Sequence, residues 1–233
     1  METILAARNI VKVYPDGVVA NRDVSVEVEK NTIHAIVGEK GAGKSTLMKI
    51  LFGMEHPQEG ELYYKGERVK WRNPHDAIRR GIGMVHQHLM LAPDLTVAEN
   101  MVLGIEPRKR RIFFNSEEAL KISAEVSRKY GLDVPVDKKI KNLPIGVRQR
   151  VEILKALFRN AEVLILDEPT AVLTPQETEV LFKTLVNLKN NGKTILFISH
   201  KLDEVKAIAD RVTVMREARS EERRVGKECR SRW

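Results

Sequence analysis

The stretch "IHAIVGEKGAGKSTLMKILFG", residues 33–53, decides the fold. IHAIV (33–37) is a short apolar run that stops at glycines, and KSTLMKILFG continues with helical spacing. This reads as a buried strand, a tight loop and a helix. The loop fits the pattern G-x-x-x-x-G-K-[ST]. Glycines there let backbone N–H groups point into one concavity, and the helix N-terminus that follows adds positive potential. Phosphates are the natural occupants. Lys44 is expected to reach the β- and γ-phosphates of a nucleotide, and Ser45 to bind Mg²⁺. The nucleotide-binding candidates are Gly38, Glu39, Lys40, Gly41, Ala42, Gly43, Lys44, Ser45 and Thr46.

Outward from this loop, GIGMV (81–85), EVLILD (162–167) and KTILFIS (193–199) read as further buried strands. Apolar strands separated by helices indicate an α/β parallel core. Residues 4–13 and 23–29 alternate apolar and polar, which suggests an antiparallel sheet beside it. Between His88 and Leu143 the pattern turns mostly helical. Thr96 and Glu99 form a capping box, and Ser116 with Glu117 and Glu118 opens a helix that stops at Gly131. Thr174-Pro175-Gln176-Glu177 starts the long helix to Asn190. The expected architecture is α/β: a P-loop NTPase (RecA-like) core, an antiparallel β subdomain and an α-helical insertion over about 88–158.

Length and composition agree with this. The chain has 233 residues, 42% apolar and 31% charged, enough for a sizeable core. No apolar stretch is long enough to span a membrane, and the N-terminus lacks a signal-peptide pattern. A single cysteine excludes an internal disulfide framework and fits a reducing compartment. The formal charge is +8; six basic and three acidic residues in 219–233 supply +3 of it and leave +5 elsewhere. That is a mildly basic surface; it suits an anionic nucleotide or membrane face, but a plain solvated surface accounts for it as well.

"VLILDEP" (163–169) is an apolar strand ending in two acids. Asp167 is placed to hold Mg²⁺ through water, and Glu168 to polarise an attacking water. His200 follows another apolar strand and is a candidate γ-phosphate contact.

With these motifs in order, the chain resembles the ATP-binding cassette family over nearly its whole length. The matching segments are the P-loop, Gln87 in "MVHQHLML", the signature segment "LPIGVRQRVEILKAL" (143–157), "LDEPTAVLT" (166–174) and "ISHKLDEV" (198–205). The resemblance implies paired domains, with two ATPs held between the P-loop of one and the signature of the other. It implies that Gln87 joins Mg²⁺ and that Tyr14 lies against adenine. It marks Leu143, Pro144, Ile145, Gly146, Val147 and Gln149 as the signature. The closer resemblance is to ATPases of simple-sugar and nucleoside importers, whose members usually carry two such domains. This would be the first of the two. The implied setting is the cytoplasmic face of the membrane, against permease subunits and indirectly an extracytoplasmic solute-binding protein, with no nucleic acid. The competing reading is a soluble cassette ATPase acting on nucleic acid or ribosomes. It expects a long charged linker or a coiled-coil insertion, and neither is found.

Three positions depart from the group. Lys40 replaces its usual asparagine. Pro144 removes the signature serine hydroxyl, which weakens the ATP site that this signature completes. Thr174 stands where many relatives have aspartate. Past "RVTVMRE" (211–217) the family continues with a glycine turn and a strand. Here residues 219–233, RSEERRVGKECRSRW, resemble the conceptual translation of a sequencing adapter. The domain is therefore expected to cover 1–217, with 218–233 a non-native, unpacked tail and the second domain lost by truncation. A basic nucleic-acid arm is the alternative for this tail on charge alone.

Overall fold

The computed structural model describes residues 2–109 and 113–224. A four-stranded antiparallel sheet is formed by β1 (Thr3–Val13), β2 (Val19–Glu29), β4 (Glu59–Tyr64) and β5 (Glu67–Val69), in the order β2-β1-β4-β5. The main sheet contains β3 (Ile33–Gly38), β6 (Ile82–Val85), β9 (Val163–Asp167), β10 (Thr194–Ile198), β11 (Arg211–Arg216) and β12 (Arg219–Arg224). Its order is β12-β11-β3-β10-β9-β6, parallel except for β12 at one edge.

The inner strands β3, β10 and β9, with β6, are mostly apolar because both faces of the sheet are covered. Side chains alternate across a strand. Ile36, Val163, Ile165, Leu196 and Ile198 face one core, shared with the antiparallel sheet and with α1 (Lys44–Phe52). Their neighbours Ile33, Ala35, Val37, Leu164, Leu166, Ile195 and Phe197 face a second core, with α5 (Ile145–Phe158) and α6 (Pro175–Asn190). Each fully buried side chain of this kind contributes about 1.5–3 kcal/mol.

The helical layer holds α3 (Val97–Val102), α4 (Ser116–Tyr130) and α5. Both capping boxes form: Thr96 with Glu99 at α3, and Thr174 with Glu177 at α6. Gly131 ends α4 in the left-handed conformation. The cap of α4 is Asn115, one residue before the expected Ser116; its side chain accepts from the Glu118 amide. The insertion is not wholly helical, since β7 (Arg108–Lys109) and β8 (Phe113–Phe114) pair within it. The short helices α2 (Pro74–Arg79) and α7 (Leu202–Ile208) complete the order.

The tail requires a correction. Residues 219–224 are not unpacked: they form β12, antiparallel to β11 with Arg216 opposite Arg219. The Ser25 amide donates to Ser220 Oγ at 2.9 Å, and that hydroxyl donates to the Ser25 carbonyl at 2.7 Å. The Arg22 amide donates to the Ala218 carbonyl at 2.7 Å. Edge pairing uses the backbone, so it needs no apolar periodicity. Residues 225–233, with Val225, Cys229 and Trp233, lie outside the described residues.

Candidate functional site

In parallel sheets, clefts form beyond the carboxyl ends of the strands. Four such ends meet here. The phosphate loop follows β3, Gln87 follows β6, Asp167 ends β9 with Glu168 just after it, and His200 follows β10. A cleft of about 630 Å³ is lined by Tyr14, Val18, Ala20, Lys40, Gly41, Gly43, Lys44, Ser45, Thr46, Gln87, Glu168 and His200.

Gly43 sets the loop. Its φ is 88°, and a Cβ there would collide with the Ala20 carbonyl, so both the backbone and the space demand glycine. The Asn21 side chain, fully buried, donates to the Gly43 carbonyl at 3.3 Å. Lys44 is buried, and its Nζ donates to the carbonyls of Gly38 and Glu39 at 2.8 Å each. Burial pulls its pKa below the ordinary lysine value, opposed by the charges of Glu168 and Asp167. A cation held by carbonyl dipoles beside an open cleft is poised for an anion. Gly38, Glu39 and Ala42 contribute backbone to the loop and do not line the cleft; the Ala42 amide donates to the Glu39 carbonyl at 3.2 Å.

Ser45 Oγ donates to Asp167 Oδ1 at 3.2 Å. Asp167 is buried, and desolvation raises its pKa, with the hydrogen bond from Ser45 acting the other way. Gln87 Nε2 donates to Glu168 Oε2 at 3.3 Å, and His200 Nδ1 lies 3.5 Å from Glu168 Oε1. The Tyr14 hydroxyl is 3.3 Å from Thr46 Oγ1, and Lys12 Nζ lies 5.3 Å from the Tyr14 ring centroid. Val18, Ala20 and Asn21 carry no motif; a buried asparagine inside a strand is their only sequence signal.

The signature residues do not line this cleft. Leu143 and Gln149 are buried, Pro144 is the N-cap of α5, and Gly146 and Val147 lie in its first turn. Pro144, Gly146, Val147 and Gln149 border a separate space of about 300 Å³ between α5 and α6.

A parallel sheet with a phosphate loop after β3, paired acids after β9 and a helical insertion defines a P-loop NTPase of the cassette type. Residues 21–171 match the model of the ABC transporter family, and the chain belongs to that family. It is 48% identical over 219 residues to the nucleoside import ATP-binding protein NupA of Lactococcus lactis subsp. cremoris, covering 94% of this chain and 43% of that protein. It is 45% identical over 243 residues to the glucose import ATP-binding protein TsgD13 of Haloferax volcanii, covering 93% and 44%. The chain thus spans less than half the length of either relative. Among solved structures, a nucleotide-free ATP-binding cassette from an ABC transporter superposes with a TM-score of 0.87 at 29% identity, covering 99% of this chain and 94% of that one.

Proposed function

We propose that this chain binds and hydrolyses ATP to power import of a small solute of the nucleoside or simple-sugar class. The observation that carries the reading is the meeting of Lys44, Gln87, Glu168 and His200 in one cleft from four strand ends. In this reading the loop amides and Lys44 hold the β- and γ-phosphates. Glu168 accepts a hydrogen bond from the attacking water, and the amide of Gln87 and the ring of His200 steer its carboxylate. Tyr14 stacks on adenine. Ser45, Asp167 and Gln87 offer the hard oxygen donors that Mg²⁺ favours, with Ser45 and Asp167 already 3.2 Å apart. When bound, that ion neutralises phosphate charge.

The chain supplies the P-loop half of one ATP site and the signature half of another, because its own signature lies outside its cleft. The partner is therefore a second cassette, either the other half of a longer protein or another copy. Solute choice rests with permease subunits and an extracytoplasmic binding protein. In this reading the chain sits at the cytoplasmic face through permease contacts. No helix among the described residues is long and apolar enough to cross a membrane. The importer reading is favoured by the names of both relatives; no observation favours action on nucleic acid.

Calorimetry with Mg-ATP tests the site. Lys44→Ala removes a cation facing two phosphates and should weaken binding about tenfold to a hundredfold, the equivalent of about 1.5–3 kcal/mol. Unchanged affinity would sink the assignment.

A further inference from the structure

The signature turn already contains an anion. Glu177 Oε1 accepts from the Gly146 amide at 3.2 Å, while its Oε2 accepts from the Thr174 amide at 3.0 Å and from Thr174 Oγ1 at 3.1 Å. One carboxylate thus caps two helices, α5 and α6.

Three first-turn donors of α5, the amides of Gly146, Val147 and Arg148, are engaged. The amides of Val147 and Arg148 both donate to the Pro144 carbonyl at 3.1 Å. Pro144 has neither an N–H nor a hydroxyl to offer. Gly146 makes room for the carboxylate: a Cβ there would stand 2.8 Å from Glu177 Oε1 and 3.1 Å from its Cδ. The hydrogen bonds from Thr174, first, and then from Gly146 hold the Glu177 pKa below the ordinary glutamate value, so it is anionic at neutral pH. A phosphate approaching this turn meets a fixed negative charge and amides that are already engaged.

We propose that Glu177 is the resident anion of this signature turn: a positioning residue that ties α5 to α6 and excludes the phosphate of an opposing cassette from Gly146. The inference rests on the ATPase reading above and deepens it, since it assigns the weakness of this signature to a second residue besides Pro144.

Two measurements test it. In amide NMR, the Gly146 resonance should move as Glu177 titrates, with a midpoint below the ordinary glutamate range, and should stay still in Glu177→Gln. A Gly146 amide unaffected by that titration in the parent overturns the contact. Second, sedimentation in Mg-ATP is compared in a Glu168→Gln background, with and without Glu177→Gln. Glutamine has one acceptor oxygen, so it keeps the Thr174 cap and gives up both the charge and the Gly146 contact. ATP-dependent self-association should tighten at least tenfold in the double variant, with ATP affinity at the P-loop unchanged by calorimetry. Equal association, or none in either protein, overturns the exclusion. A merely structural cap would lower Tm in Glu177→Ala and leave association in Glu177→Gln at the parental value. Failure of the parent to bind Mg-ATP would strike the functional reading instead, and the Gly146 titration would still decide the contact.

Discussion

Glu168 has a φ of 47°, in the left-handed region that glycine favours, and it precedes Pro169. A non-glycine residue held there costs of order 1–3 kcal/mol and persists where its surroundings fix it. Here the surroundings are the side chains of the cleft: Gln87 donates to one carboxylate oxygen and His200 lies beside the other. The strand must end abruptly for Asp167 to stay buried against Ser45 while its neighbour reaches the cleft. Glu168→Gln preserves shape and removes the charge that would polarise water. It should leave the ATP dissociation constant within about twofold and slow phosphate release about a hundredfold or more, the lower end of what general-base catalysis supplies. Steady-state phosphate assays beside calorimetry separate the two, and parental turnover would remove Glu168 from the role.

At the scale of elements, the β11–β12 hairpin is joined through Glu217 and Ala218, with φ of 51° and 62°. Two consecutive left-handed residues make the hairpin turn that Asn-Gly serves best. Each non-glycine residue there costs about 1–2 kcal/mol. Ala218→Gly should therefore stabilise the chain by about 1 kcal/mol, a rise in Tm of about 2–4 °C for a domain of this size. Calorimetric melting reads it directly, and a lower Tm would mean the hairpin does not close at these residues. This turn also marks the limit of the sequence. β3, β9 and β10 are legible because burial on both faces demands near-continuous apolar runs. The capping boxes are legible because their partners sit three residues apart. β12 is not, because its pairing is backbone to backbone and its composition is charged. In the cleft, the strand-end residues announce themselves by motif, whereas Val18 and Ala20 reach it only through the antiparallel sheet. Glu177 reads as a local cap, yet its second oxygen serves Gly146, 31 residues away in sequence, and no local pattern encodes that contact.

At the scale of the whole molecule, the main sheet separates two cores, and a polar residue sits in β3, one of its two central strands. His34 is fully buried; its Nε2 is 2.8 Å from Thr213 Oγ1, and its Nδ1 has no partner among the described residues. Burial, and secondarily the charge of Arg211, lower its pKa to about 4 from 6.5. Arg211 in turn pairs with Glu29. The neutral ring is thus the form the fold accepts. The unfolded chain takes up a proton near pH 6.5, whereas the folded chain resists until about pH 4. Stability should be level above pH 6.5 and decline as pH falls through that window, at up to about 1.4 kcal/mol per pH unit and about 3 kcal/mol in all. Chemical denaturation across pH 7.5 to 5 measures it before most carboxylates titrate. The paired substitution His34→Leu with Thr213→Val removes donor and acceptor together, which is far less harmful than orphaning either. It should flatten the profile between pH 6.5 and 5 while keeping the fold. If the double variant retains the parental slope, the proton uptake belongs to another histidine, and His34 is not what limits the stability of this sheet in mild acid.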